Sequence, residues 1–107
     1  MADFCDSLHD LTVVLVDCQT SGPSPEKAYV IELAWVVTKA SEIRQNSEWV
    51  NKIESHLLAL PEGEQVPRAV QRVTGITTEA LLHASAASEV FGQLKQIVES
   101  HVVVIYY

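Results

Sequence analysis

The stretch that decides the fold is an apolar run with a polar end, Thr12-Val13-Val14-Leu15-Val16-Asp17-Cys18-Gln19-Thr20-Ser21-Gly22. The run from Thr12 to Val16 is rich in β-branched side chains on both faces, which predicts a central strand buried on two sides. Asp17 and Gln19 place a carboxylate and a carboxamide two residues apart where this strand ends. At the end of a buried strand, this pair looks like half of a metal site with one ligand altered.

A loop and two more strands are predicted after this run. Glycine and two prolines indicate a loop over residues 21–25. A second strand over about residues 29–38 has Glu32 as its only charge, and one of its faces carries Tyr29, Ile31, Leu33, Trp35 and Val37. A third, more polar strand is predicted from about Glu42 to Ile53, after a short turn and with Trp49 as its largest anchor. Together they predict an antiparallel meander with the third strand toward an edge.

From Leu57 onward the pattern is helical. A short helix is predicted over residues 66–73, with Pro67 at its first position, Val70 and Val73 on one side, and Gly75 as its stop. The next helix is predicted to be capped by Thr77, with a hydrophobic staple between Ile76 and Leu81. A further helix starts near Ser85 and carries an apolar stripe made of Val90, Leu94, Ile97 and Val98, with Phe91 beside it.

The last apolar segment, residues 101–107, is predicted to be a strand. Since a helical crossover leads to it, we expect it to lie parallel to another strand of the same sheet. The predicted order is β-β-β-α-α-β, an α/β fold with a mixed sheet. An apolar strand of this kind needs a covering element, so we expect either a partner chain or residues that are missing from this sequence.

Length and charge limit the classes of protein that fit. With 107 residues the chain is one domain, or part of one, over residues 1–107. A net charge of −7 excludes a general binder of phosphate backbones, but not an enzyme that holds divalent cations between carboxylates. Short apolar runs and a start without a signal peptide predict a cytoplasmic protein that does not cross a membrane. Cys5 and Cys18 are expected to be free thiols, and the four scattered histidines predict no zinc site.

With these motifs identified, the chain resembles the DEDD superfamily of 3′-5′ exonucleases, in particular proofreading domains like the epsilon subunit of bacterial DNA polymerase III. Residues 16–22 are similar to the first motif of that family, an apolar strand followed by Asp-x-Glu-Thr-Thr-Gly. Residues 29–36 are similar to the Ile-Ile-Glu-Ile-Ala strand that follows, and residues 66–67 with 73–81 to the stretch that ends in His-Gly-Ile-Thr. The resemblance implies a ribonuclease H-like mixed sheet flanked by helices.

The resemblance also implies a chemistry, the hydrolysis of a terminal phosphodiester by two Mg²⁺ or Mn²⁺ ions. It assigns Asp17 to both metals and Gln19 to the first, which makes these two residues the catalytic and metal-binding candidates. It places Thr20, Ser21 and Gly22 in the turn against the terminal nucleotide. It places Val73 and Thr74 against the terminal base, where Thr74 stands in place of the usual histidine. The partner implied is therefore the 3′ end of a nucleic acid.

Three departures from the family pattern weaken the expectation of activity. Gln19 replaces the glutamate of the first motif and brings no charge. Tyr106 and Tyr107 stand where the second motif has His-Asn, and neither its aspartate nor the third motif is present in this chain. We therefore expect a truncated or degenerate exonuclease domain, weakly active or inactive, and with no metal if it is inactive. The residues do not decide between DNA and RNA.

Structural roles remain open for several of these residues. Asp17 could end the strand by accepting hydrogen bonds from amides of the next turn, Gln19 could bond the loop backbone, and Val73 could be plain core. Glu32 is expected to be a satisfied charge. Outside these residues, Arg68 and Arg72 could contact phosphate or form a solvated face, and the two tyrosines could stack on bases or only end the strand. The alternative function is a non-catalytic interaction module that pairs with a second copy or a partner through residues 102–107.

Overall fold

Four strands form one mixed sheet in the computed structural model, which describes residues 10–24 and 26–105. They are β1 (Thr12–Thr20), β2 (Val30–Lys39), β3 (Glu54–Leu57) and β4 (Val102–Ile105), and their order in the sheet is β3-β2-β1-β4. β4 is parallel to β1, with Val13 opposite Val102 and Val16 opposite Ile105. The α/β class, the mixed sheet and the parallel last strand are thereby confirmed.

β1 and β2 form an antiparallel hairpin that is closed by hydrogen bonds at both of its ends. The amide of Ala40 donates to the carbonyl of Leu11 at 2.9 Å, and the amide of Ser21 donates to the carbonyl of Tyr29 at 2.8 Å. Within β1, Val13, Val14 and Val16 are buried, whereas the polar end of the strand from residue 17 to residue 20 is exposed or half-buried. The β-branched run thus forms the predicted interior strand, and the motif lies at its open end.

The predicted third strand from Glu42 to Ile53 is wrong. Residues Ala40–Gln45 form helix α1 and Glu48–Lys52 form a 3₁₀ helix, while the third strand is the shorter β3 at the sheet edge. Ala, Glu, Arg and Gln in this segment are strong helix formers, and no regular alternation of apolar and polar side chains opposes that preference. The hydroxyl of Thr38 also donates to the Glu42 carboxylate at 2.7 Å, which anchors the first turn of α1.

Three helices separate β3 from β4, which matches the three predicted helical segments; the predicted order β-β-β-α-α-β counted one too few. They are α2 (Arg68–Thr74), α3 (Thr78–Leu81) and α4 (Ala87–Val98). Along α4, Val90 is fully buried, the rest of the predicted stripe is half-buried, and Phe91 is 43% exposed. Within the described residues, none of the helices has the length and apolar character needed to cross a lipid bilayer.

The chain divides into two compact units. Of the described residues, unit 1 comprises 10–17, 34–54 and 94–105, and unit 2 comprises 18–24, 26–33 and 55–93. Buried side chains of unit 1 include valines of β1 together with Trp35 and Val36 of β2. The four apolar side chains of β4 are each between 37% and 55% exposed, so apolar surface of unit 1 stays open to solvent.

Unit 2 has a closed core of Ile31, Val66, Ile76 and Leu81, with Leu57, Leu60, Val70 and Ala84 packed against it. The predicted cap and staple at α3 are confirmed. The Thr77 hydroxyl accepts a hydrogen bond from the amide of Ala80 at 3.1 Å, and Ile76 and Leu81 are both buried. Gly75 ends α2 with a φ of 76°, a left-handed conformation that suits glycine. Pro67 stands at the N-cap of α2, one residue earlier than predicted.

The buried face of β2 changes along the strand. Ile31, Leu33 and Trp35 are buried, but Tyr29 is 39% exposed and Val37 is 38% exposed. At the carboxyl end of the strand Val36 and Thr38 are buried instead. Both faces of the strand are therefore covered where Trp35 and Val36 adjoin.

Candidate functional site

Asp17 is an exposed carboxylate at the boundary between the buried and the open part of β1. It lines a pocket of about 450 Å³ in unit 1, which we call the tryptophan pocket. The other residues that line this pocket are all apolar: Leu15, Val16, Ala34, Trp35, Val36, Trp49, Ile53 and Val104. Within the described residues, no amide of the following turn donates a hydrogen bond to the Asp17 side chain. The strand-ending role that the sequence left open for Asp17 therefore has no contact to support it.

Gln19 lies two residues further along β1 and lines a different cavity. This cavity, the Gln19 groove, has a volume of about 390 Å³ and belongs to unit 2. Its lining combines the polar end of β1, the following turn and one side of α2: Cys18, Gln19, Thr20, Gly22, Pro23, Ala69, Val70, Val73 and Thr74. Five of the seven site residues that the sequence predicted thus meet in one cavity. Asp17 and Ser21 are not among its lining residues.

Among the large hydrophobic residues that the structure describes, Val73 of the groove is the most exposed. It is 87% exposed, so the reading of Val73 as core is wrong. The helix α2 is only two turns long, and Val70, one turn earlier, is the valine that packs against the unit 2 core. Exposing a valine to this extent forgoes the stabilisation that burial would give. An apolar side chain held open beside a carboxamide is the kind of surface on which a planar ligand packs.

The hydroxyl groups of the motif are used within the chain. The Ser21 side chain is buried and its hydroxyl accepts a hydrogen bond from the amide of Tyr29 at 2.9 Å. Thr20 donates to the carbonyl of Gly22 at 2.9 Å, and Thr74 donates to the carbonyl of Val70 at 2.8 Å. These bonds fix the turn and the end of α2 in place. Ser21 thus shapes the groove without lining it, and Gln19 carries the carboxamide of the lining.

Sequence reasoning missed four residues of the lining. Cys18 is an exposed free thiol between the two metal candidates, and Pro23 follows the predicted turn. Ala69 and Val70 line the groove from α2, one turn before Val73 and Thr74. The spacing of three and four residues on a helix could have found Ala69 and Val70, because such residues share a face with the predicted pair.

The structure describes some of the remaining residues whose roles the sequence left open, but not all of them. Glu32 accepts a hydrogen bond from the Ser55 hydroxyl at 3.1 Å, which confirms that its charge is satisfied. Arg68 and Arg72 are exposed on α2 and do not line the groove. The two predicted roles for Tyr106 and Tyr107 lie outside the described residues, as does the prediction for Cys5.

The donor atoms at the end of β1 do not fit a two-metal centre. Two divalent cations about 4 Å apart need several carboxylates, and Mg²⁺ prefers carboxylate and water oxygens. Asp17 brings one carboxylate, and Gln19 brings only a neutral carbonyl oxygen. Across residues 10–24 and 26–105, no three His, Cys, Asp or Glu side chains are grouped so that they could hold a metal ion.

Comparisons with known proteins agree with the fold. A family model described as RNase_T, Exonuclease, matches residues 14–107. Three similar solved structures are exonuclease I in complex with the inhibitor BCBP, at 16% identity and a TM-score of 0.70, and the metal-free and zinc-bound forms of an E. coli ExoI-ssDNA complex, each at 17% identity and a TM-score of 0.69. No curated protein sequence matches the chain.

These similarities cover nearly all of this chain but a small part of the larger proteins. The match covers 90% of this chain and 20% of the chain in the inhibitor complex, and 89% and 20% for the two DNA complexes. The chain therefore spans about a fifth of the length of the exonuclease I structures that it resembles. At this level of identity the likeness establishes the ribonuclease H-like fold alone.

Proposed function

Because the chain belongs to the RNase_T exonuclease family of the DEDD superfamily, we propose that it binds the 3′ end of a single nucleic-acid strand and hydrolyses it weakly or not at all. The observation that carries this proposal is the Gln19 groove, in which the family's first motif and α2 share one cavity. Exonuclease I structures of the same fold are described as complexes with single-stranded DNA. Binding of nucleic acid is thus the property of the family that these residues support best.

The lining of the groove suits a nucleobase and its sugar. Val73 offers an open apolar surface against which a base can pack. The Gln19 carboxamide can both donate and accept a hydrogen bond at the edge of a base. Pro23 and Ala69 add apolar surface beside it. Contacts of this kind depend little on base identity, so we expect modest sequence preference.

Efficient hydrolysis by this chain does not follow from the same residues. The family reaction needs two cations held by several carboxylates, and the donor set here contains one. We therefore propose that residues 1–107 alone release few nucleotides, even with Mg²⁺ or Mn²⁺ present. A cytoplasmic location stays a prediction of the sequence.

The test compares binding and turnover on the same strands. Fluorescence anisotropy with 5′-labelled oligothymidylate and oligouridylate measures affinity, and strands with a blocked 3′ hydroxyl show whether the end is recognised. We expect binding that weakens when the 3′ end is blocked, with little nucleotide release in Mg²⁺ or Mn²⁺. Equal affinity for blocked and free ends would refute recognition of the 3′ end. Robust release that Asp17→Ala abolishes would refute weak hydrolysis.

A second candidate function is supported by β4, the exposed apolar edge of the sheet. All four of its side chains are apolar, and the tryptophan pocket opens beside Val104. An edge strand of this type can add a strand from a second copy of the chain, because two identical edges pair antiparallel about a twofold axis. Light scattering on a sizing column would detect that dimer, and Val104→Lys should then return it to a monomer. A monomer at all concentrations and salt levels would exclude this function.

A further inference from the structure

We propose that the Gln19 groove holds the end of a nucleic-acid strand without a divalent cation, an inference that rests on the proposed function. Two observations about this chain carry it. One is the charge of the groove lining, and the other is the donor set at the end of β1. Each points to contacts with base and sugar in place of a bridge through a metal to phosphate.

Among the residues that the structure describes, none that lines the groove carries a carboxylate, ammonium or guanidinium group. Its polar side chains are those of Cys18, Gln19, Thr20 and Thr74, and the remaining lining is apolar or glycine. Of the two threonines, each hydroxyl already donates to a backbone carbonyl of its own segment. A phosphate group placed in this cavity would find no cationic side chain in the lining. A base and a sugar are uncharged, so they do not need a cationic side chain in the lining.

The end of β1 offers a divalent cation too few ligands. Mg²⁺ requires near-octahedral oxygen coordination and gives up its water reluctantly, so a single exposed carboxylate holds it weakly. Asp17 is that single carboxylate, and its neighbours in the tryptophan pocket are apolar. A cation bound this weakly adds little to the affinity for a strand. Removal of metal should therefore leave binding unchanged.

The same lining predicts a weak dependence on salt. Each phosphate that Lys or Arg neutralises on a single strand adds about −0.7 to the slope of log affinity against log salt. Arg68 and Arg72 lie on α2 but do not line the groove, and the chain carries a net charge of −7. Binding through base and sugar should thus show a slope close to zero. A steep negative slope would indicate phosphate contacts and would contradict the proposal.

The experiment measures the affinity of the 107-residue chain for a 5′-fluorescein oligothymidylate with a free 3′ hydroxyl, in EDTA, in Mg²⁺ and in Mn²⁺. We expect the same dissociation constant in all three. Val73→Asp should weaken binding, because a charge replaces the apolar surface of the groove. Leu82→Asp is the matched control, since Leu82 is 70% exposed, lies in unit 2 and lines a different pocket. It should bind as tightly as the parent chain.

The outcomes separate the two proposals. Binding that appears only with Mg²⁺ or Mn²⁺ overturns this inference and leaves the proposed function standing. No binding in any of the three conditions overturns both. Binding in EDTA that Val73→Asp and Leu82→Asp weaken equally places the strand outside the groove and also overturns the inference.

A direct measurement of metal binding completes the test. Electron paramagnetic resonance reports free Mn²⁺, and we expect the parent chain to leave its signal nearly unchanged. Gln19→Glu places a second carboxylate two residues from Asp17 on one strand face, so the variant should lower the free Mn²⁺ signal by tighter binding. Stoichiometric binding of Mn²⁺ by the parent chain would overturn the inference independently of any nucleic acid.

Discussion

Unit 2 and unit 1 handle apolar side chains in opposite ways. In unit 2, Ile31, Val66, Ile76 and Leu81 form a closed core, and short helices end in capped turns around it. In unit 1, β4 leaves four apolar side chains partly open, and the tryptophan pocket is lined almost entirely by apolar residues. The unit that carries the Gln19 groove therefore supplies its own packing, whereas unit 1 retains apolar surface that another segment could cover.

The two candidate functions depend on different units of the chain. Binding in the groove depends on a turn, a short helix and hydrogen bonds that all belong to unit 2. Association through an edge strand depends on apolar surface that belongs to unit 1. A substitution that removes one function should spare the other, and stability measurements can show how far the two units are independent.

The largest effect is expected from Leu81→Ala. Leu81 is 2% exposed in the unit 2 core, so the substitution should lower the free energy of unfolding by about 2–5 kcal/mol. Leu82→Ala is the matched control at the next position, where the side chain is 70% exposed and the change should stay within about 0.5 kcal/mol. Urea denaturation followed by circular dichroism measures both.

Tryptophan fluorescence sharpens this experiment, because Trp35 and Trp49 both belong to unit 1. If the units unfold as one, Leu81→Ala should shift the fluorescence and dichroism transitions equally. A dichroism transition that moves while the fluorescence transition stays in place would show that they unfold separately. Equal destabilisation by Leu81→Ala and Leu82→Ala would contradict the closed core itself.

Smaller changes in stability are expected at two glycines of unit 2, and the two substitutions should act in opposite directions. An added Cβ would meet no atom within 4 Å at Gly75 or at Gly92, so backbone conformation alone decides the outcome. Gly75 has a φ of 76°, and Gly75→Ala should destabilise the chain by about 1 kcal/mol. Gly92 lies within α4, where alanine is the better helix former, and Gly92→Ala should stabilise by roughly 0.5–1 kcal/mol. Thermal unfolding of both variants measures the two changes in stability. If Gly75→Ala stabilised the chain as Gly92→Ala is expected to do, the left-handed glycine cap of α2 would be refuted.

Local patterns in the sequence predicted the strands and caps correctly where one physical preference dominates. The β-branched apolar run from Thr12 to Val16 strongly favours an interior strand. Thr77, Ile76 and Leu81 lie close together in the sequence, so their cap and staple follow from a local pattern. The strand predicted from Glu42 to Ile53 was wrong, because scattered large apolar residues such as Trp49 were interpreted as strand anchors. Its helix-forming residues, which have no alternating pattern, carried the stronger signal.

The sequence pointed to five of the nine residues that line the Gln19 groove, but not to their geometry. The resemblance to the exonuclease family pointed to Gln19, Thr20 and Gly22 in the first motif and to Val73 and Thr74 further along the chain, and the structure brings these five residues into one cavity. That Val73 stands open while Val70 packs inward could not be read from periodicity, because a helix of two turns gives both valines nearly the same face. The commitment of the Ser21 hydroxyl to the Tyr29 amide is a contact across a hairpin, which no local pattern encodes.

The smallest effect concerns a single carboxylate of unit 1. The hydroxyl of Thr38 donates to Glu42 and lowers the pKa of that carboxyl below its usual value; partial burial opposes this, and the charges of Lys52 and Lys39 add to it. Since the pKa is lower in the folded chain, the stabilisation is present above the unfolded pKa and is lost as the pH falls through the folded pKa.

Thr38→Val keeps the buried shape but removes the donor, so the pKa of Glu42 should rise. Carbon-13 titration of the Glu42 carboxyl measures it, with Thr38→Ser as the control that keeps the hydroxyl and the lowered value. An unchanged pKa in Thr38→Val would show that the lysine charges and the Lys39 backbone hydrogen bond, and not the Thr38 hydroxyl, lower the pKa of Glu42.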